Sequence, residues 1–262
     1  MKKIKAGYII TVLALLAAAC LSSCSAKQQS TESKGYKTPE KAISAYLDGF
    51  KKMDLEQMMG TFAMDTYVAN QDFEGCIERI NAYTYNMEIK LPNATTLATD
   101  LNIESRRANV SSAILRQYVA LSSPGFDLLE MQALKTEGEA KKFADNFTRK
   151  LEDIETDSIK LLGFIPPEEL SEYYAMDKNK ENMAKIAEIN GADELESRAA
   201  VVEIDGEVYL MCFEAANYGG SWYLQELGGN IGLLLGIGSL QGGLVPLSGI
   251  DIDWEEMMVP VS

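Results

Sequence analysis

Histidine is absent from the 262-residue chain, and this removes most familiar site chemistry. No Ser-His-Asp or Cys-His nucleophile can be assembled, and no His-ligated zinc site. Acid–base work falls to Asp, Glu, Tyr or Lys. Tyr209, Met211, Phe213 and Trp222 stand at strand spacings, able to line a ligand pocket or simply to fill a core. Asp251, Asp253, Glu255 and Glu256 gather four carboxylates around Trp254. They lack the glycine of a calcium loop, so a solvated acidic tail is the plainer reading, and no metal or cofactor is expected. Gly236 to Gly242 invites comparison with a phosphate loop but fails the GxGxxG spacing, and no βαβ unit surrounds it. The glycine-rich apolar segment 228–249 reads as a closing loop packed on the domain, or else as a partner-docking segment. Cys76 and Cys212 have no CxxC neighbour. They could pair in an exported protein, or lie apart as buried thiols.

The elements that position these residues follow from pattern and punctuation. Thr38-Pro39-Glu40 starts a helix with a cap, a proline at the first position and an early acid; Ile43, Tyr46, Leu47 and Phe50 fall on its apolar face. Asp54 with Gln57 marks a second, short helix. Residues 73–85, 106–121, 137–156 and 179–189 read as further helices, 137–156 being the longest. Met87 to Leu91 and Ser158 to Ile165 read as strands. A hairpin stands at 199–204 and 207–214 around Asp205-Gly206, a two-residue loop that pairs Ile204 with Glu207, Val202 with Tyr209 and Ala200 with Met211. A second two-residue loop at Gly219-Gly220 sets Trp222 against Asn217 and Leu224 against Ala215. One sheet face then carries Val202, Ile204, Tyr209, Met211, Phe213, Trp222 and Leu224. The other, with Glu203, Leu210, Cys212, Glu214, Tyr223 and Gln225, is mixed. The expected class is α+β, with a helix-rich N-terminal and central part packed on a C-terminal antiparallel meander.

The first residues specify location rather than chemistry. Three lysines precede an apolar run at 6–19, too short for a comfortable membrane span, and small residues follow. This is the order of a signal peptide. Leu21-Ser22-Ser23-Cys24 resembles the lipobox of bacterial lipoproteins, which implies cleavage after Ser23 and diacylglyceryl transfer to the Cys24 sulfur. The rivals are Cys20, whose preceding residues lack the aliphatic position, and an ordinary secretory leader. The expected organisation is a signal peptide at 1–23, a lipidated cysteine and flexible tether at 24–37, and one extracytoplasmic domain at 38–262. Cleavage removes three lysines and no acid, which takes the formal charge from −15 to −18. Such a chain suits neither nucleic acid nor an anionic membrane surface. Its expected partners are the membrane, through the anchor, and an unidentified protein or small-molecule ligand.

TPEKAISAYLDGFKKMDLEQMMGTFA at one end, with VVEIDGEVYLM and GGSWYLQEL at the other, resembles exported nuclear-transport-factor-2-like domains. The resemblance implies a curved sheet forming a cone with aromatics inside, here with large helical insertions at roughly 92–195. The favoured expectation is a non-catalytic binding domain. A small-molecule enzyme with an Asp or Glu base beside tyrosines in the cone is the alternative, although no particular acid stands out as that base. A transporter's solute-binding protein ranks last, because repeated βαβ units are not visible.

Overall fold

Thr38, with an extended backbone at φ −145°, accepts a hydrogen bond from the Lys41 N–H and launches helix α1 (Pro39–Lys51), with Pro39 and Glu40 in its first turn. Its apolar face, Ile43, Tyr46, Leu47 and Phe50, is fully or almost fully buried. Asp54 caps α2 (Leu55–Met59) through a 3.0 Å bond from the Gln57 N–H to Oδ1. The computed structural model describes residues 32–83, 90–122, 137–154, 158–237, 242–250 and 252–261. Ser23, Cys24 and residues 87–89 of the expected strand lie outside them.

After α3 (Asp65–Asn70) and α4 (Phe73–Tyr83) comes α5 (Thr96–Ser122), 27 residues long. It starts ten residues before the expected helix, and among the described residues it, not the helix placed at 137–156, is the longest. Thr95 Oγ1 accepts from the Ala98 N–H at 3.2 Å and anchors this early start. The stripe that α5 buries includes Asn102, Arg106, Val110, Ile114 and Gln117, so apolar periodicity marks only its second half. Helix α6 (Glu137–Glu152) buries none of its residues.

Strand β1 (Lys160–Ile165) leads to the single turn α7 (Pro167–Leu170), a 3-10 turn at Glu172–Ala175 and α8 (Asp177–Ile189). Then come β2 (Glu194–Ile204), β3 (Glu207–Tyr218) and β4 (Ser221–Leu227). The tail holds α9 (Gly229–Leu234), β5 (Leu244–Pro246), α10 (Trp254–Met257) and β6 (Val259–Pro260). The described strands form one six-stranded antiparallel sheet in the order β4-β3-β2-β1-β6, with β5 also paired to β3. The fold is α+β.

The hairpin registers are those the turns dictate: Ile204 faces Glu207, Val202 faces Tyr209 and Trp222 faces Asn217. Asp205 and Gly206 both have positive φ, as do Gly219 and Gly220, the backbone a twisted two-residue hairpin loop needs. One sheet face packs Val202, Ile204, Tyr209, Met211, Phe213 and Leu224 against α1, α2 and α5. The other face, expected to be mixed, carries a second core: Ile165, Ala199, Val201, Leu210 and Cys212 meet Ile231, Ile237 and Leu247 of the C-terminal segment. The described part of segment 228–249 is therefore packed on the domain. Ile252, Trp254, Met257 and Met258 join it, while Asp253, Glu255 and Glu256 face solvent. Cys76 and Cys212 are both free and buried, and burial pushes the Cys212 thiol up to about 12.

The end of the tether, expected to be flexible, is instead part of the fold. Tyr36 and Trp222 exchange two 2.8 Å backbone hydrogen bonds. The Glu32 carboxylate accepts from the N–H groups of Met64 at 2.6 Å and Thr66 at 3.0 Å. That carboxylate satisfies donors at the start of α3, which Met64 itself does not cap.

Candidate functional site

The four residues expected to line a pocket are packed instead. Met211 and Phe213 have no exposed surface, and Tyr209 and Trp222 very little. The Phe213 ring meets Tyr46 of α1 edge-on, with centroids 5.6 Å apart, and Tyr209 Oη donates to Glu207 Oε2 at 3.0 Å. Trp222 is held by the Tyr36 strand pairing. None of the four lines the clefts described below, and where a cone would be hollow, α1 fills it.

The open volume lies beside β4. A cleft of about 700 Å³ is bounded by α5, α8, α9, the body of β3 at Glu214 and the end of β4. Phe62, Val110, Met183 and Leu233 give it apolar walls, and Glu214 and Gln225 give it buried acceptors. Two further hollows, of about 460 and 660 Å³, border α8. The 700 Å³ cleft differs from both in what its wall leaves unsatisfied.

Glu214 is 4% exposed and Gln225 6%. Glu214 stands on the inner side of the sheet with Leu210 and Cys212, two strand residues apart at each step. Its Oε2 accepts from Ser197 Oγ at 2.8 Å and from the Asn230 N–H at 3.0 Å. Its Oε1 has no hydrogen-bond partner among the described residues, and neither has Gln225 Oε1. Buried acceptors are seldom left so. Gln225 owes its position to a bulge: Ala215 pairs with Leu224 but Glu214 with Glu226, so Gln225 is the extra residue.

The support for Glu214 is drawn from distant parts of the chain. The Ser197 N–H donates to Tyr174 Oη at 3.1 Å. Asn230 Nδ2 donates to Asn179 Oδ1 at 2.8 Å, and Asn179 Nδ2 to the Tyr174 carbonyl at 3.0 Å. The 3-10 turn, α8, α9, β2 and β3 are thereby tied into one polar network. Gly229, at φ +54°, makes the close approach possible, because a Cβ there would lie 2.6 Å from Glu214 Cβ. Burial pushes the Glu214 carboxyl up to about 7, and Glu226 adds to it; the bonds from Asn230 and Ser197 and the charge of Arg198 oppose the rise. Near neutrality this carboxyl can be an acceptor, an ion or a proton donor.

At the Tyr67 side of the cleft, Lys90 and Arg106 lie over the Tyr67 ring, 4.5 and 4.7 Å from its centroid. Arg106, 8% exposed, donates to the Ala63 carbonyl at 3.4 Å and to the Gln225 carbonyl. It fixes the bulge that carries Gln225.

Glu214 and Gln225 stand on the mixed face in the sequence pattern, but nothing there singles them out. The available clue is local: Glu214 continues the Leu210, Cys212 row, and an acid on an otherwise apolar row needs a partner or a function.

No protein-family model matches the chain, and no curated protein matches it. Among solved structures, a cystatin-like protein from Ruminococcus gnavus ATCC 29149 is similar at 18% identity and a TM-score of 0.38, over 71% of this chain and 38% of that one. The chain thus spans well under half the length of that protein, and a likeness at this level gives no ground for a function.

Proposed function

We propose that the protein is a membrane-anchored extracytoplasmic lipoprotein whose α+β domain binds a small ligand without turnover. The observation that carries the binding reading is the 700 Å³ cleft whose wall includes Glu214 and Gln225, each with a buried Oε1 that has no hydrogen-bond partner among the described residues. A concave site that joins apolar walls to convergent polar groups is the usual form of a small-molecule site, and this cleft sets Phe62, Val110, Met183 and Leu233 among polar and charged side chains. The anchoring reading rests on Leu21-Ser22-Ser23-Cys24, with cleavage after Ser23 and lipid on Cys24. A diacylglyceryl group supplies two chains at once, and two chains hold a protein where one does not. Kinship with nuclear-transport-factor-2-like domains belongs to the same proposal, supported by the α1–α2 pair seated on the apolar sheet face.

Palmitate labelling and membrane fractionation test the anchor. Wild-type protein takes label and sediments with membranes, and Cys24→Ala abolishes the label and leaves the protein soluble or unprocessed. Membrane retention of an unlabelled wild type sinks this part. A second reading, an enzyme, is favoured by one feature: a carboxyl near pH 7 in a cleft is poised for acid–base work.

A further inference from the structure

We infer that the cleft takes a small molecule bearing an ammonium group on an apolar body, with the ammonium seated at Glu214 and Gln225; this rests on the small-ligand reading above.

The inference starts from what the wall lacks. Glu214 Oε1 and Gln225 Oε1 are both acceptors, both at least nine-tenths buried, and neither has a donor among the described residues. Several donors around the cleft are engaged elsewhere. Ser197 and Asn230 both serve Glu214 Oε2, and the Asn230 amide serves Asn179. Lys90 donates to Tyr67 Oη, and both Lys90 and Arg106 are drawn over that ring. Arg106 further serves the Ala63 and Gln225 carbonyls. A ligand that brings donors would answer the two unpartnered acceptors.

An ammonium brings three and accepts nothing, so a single group can answer both acceptors. Gln225 adjoins Glu226, the cross-strand partner of Glu214, so the two acceptors come from adjoining positions of paired strands. A neutral hydroxyl or amide has fewer donors to share and gains no charge. An ammonium beside an ionised carboxylate makes the stronger, charge-assisted bond, and the apolar walls weaken its screening. A ligand carboxylate would add acceptors beside two that already lack donors. Phe62, Val110, Met183 and Leu233 ask for an apolar body behind the charged head.

The probes are benzylamine, benzyl alcohol and benzoate, which share a ring and differ in the head group. They are titrated by calorimetry and protein NMR into the mature chain, residues 24–262, carrying Cys24→Ser to keep it free of lipid. Benzylamine is expected to bind about tenfold more tightly than either of the others. Glu214→Gln keeps an acceptor for Ser197 and Asn230 and should weaken benzylamine by about tenfold; Gln225→Leu, a second variant with the buried carboxyl intact, should weaken it too. Equal or better binding of benzoate or benzyl alcohol overturns the ammonium assignment and leaves the small-ligand reading standing. Binding of benzylamine that neither variant alters places it elsewhere and overturns the assignment. If none of the three binds, the ammonium assignment falls.

Discussion

Glu214 is the residue at which stability and site chemistry meet. An acid in water has a carboxyl near 4.5, and burial lifts this one to about 7. The folded state therefore prefers the protonated form. Its contribution is fully present below 4.5 and is lost as pH rises through 7, a swing of roughly 3 kcal/mol. The groups facing it are Ser197 and Arg198 on β2, Glu226 on β4, Asn230 on α9 and Tyr174 in the 3-10 turn. Glu214→Gln removes the titration and keeps the acceptor. Urea unfolding should show wild type and variant similar at about pH 5, and the variant more stable at about pH 8 by an amount approaching that swing. A pH-independent difference between the two would refute the buried, raised carboxyl. The same residue shows where sequence reasoning stops. Strand parity places Glu214 beside Leu210 and Cys212. Its burial depends on Ser197 and Asn230, which come from other elements, and on Gly229, whose missing side chain lets α9 close over it.

At the scale of elements, the hairpins were legible because their loops carry their own chemistry. Asp205-Gly206 and Gly219-Gly220 set φ and hence register without tertiary help. Helix α5 was legible only in part. Its inward stripe holds Asn102, Arg106 and Gln117, and no apolar period betrays polar residues that find buried partners. Tyr46 Oη donates to Gln117 Oε1 at 2.5 Å, and Gln117 Nε2 donates to the Gly242 carbonyl at 2.8 Å, so α1, α5 and the approach to β5 share one buried contact. Tyr46→Phe strands the Gln117 oxygen and should cost about 1–3 kcal/mol in urea unfolding; an unchanged midpoint would show the contact to be dispensable. The edge where β5 replaces β4 was not legible at all, because two chain segments far apart must meet there. Gly243, at φ +72°, comes so close to Gly228 that a Cβ would stand 2.4 Å from the Gly228 nitrogen, whereas a Cβ on Gly206 at φ +76° would meet nothing within 4 Å. Gly206→Ala should thus cost about 1 kcal/mol for the backbone alone. Gly243→Ala should cost about 3 kcal/mol or more, because backbone must move. Equal costs would mean the edge yields easily.

Over the whole molecule, the sheet is covered on both faces, by helices from the N-terminal half on one and by the C-terminal segment on the other. That arrangement leaves β4 as an outer strand, and its exposed edge is the usual weak point of a sheet. Here the edge is covered by Tyr36 from before the first helix and by Thr61 and Ala63 from after the second. Tyr36 pairs with Trp222, Leu224 bonds the Thr61 carbonyl, and Ala63 bonds the Leu224 carbonyl. The Ser33 N–H reaches the Gly60 carbonyl at 2.9 Å, while Glu32 holds the start of α3. The polar composition of residues 32–37 hides this, because backbone pairing needs no apolar side chain. A domain cut at Thr38, where the first helix begins in the sequence, would therefore lose part of its sheet. Compared with residues 32–262, residues 38–262 should unfold at lower urea, with a loss of about 2–4 kcal/mol for several backbone and charge-assisted bonds. Hydrogen exchange should localise the damage to Trp222 and the Met64–Thr66 turn, since edges open locally before the core. The result also bears on the proposed anchor. If residues 32–37 belong to the domain, the tether expected at 24–37 is shorter by those residues. Identical urea midpoints for the two fragments would return residues 32–37 to the tether.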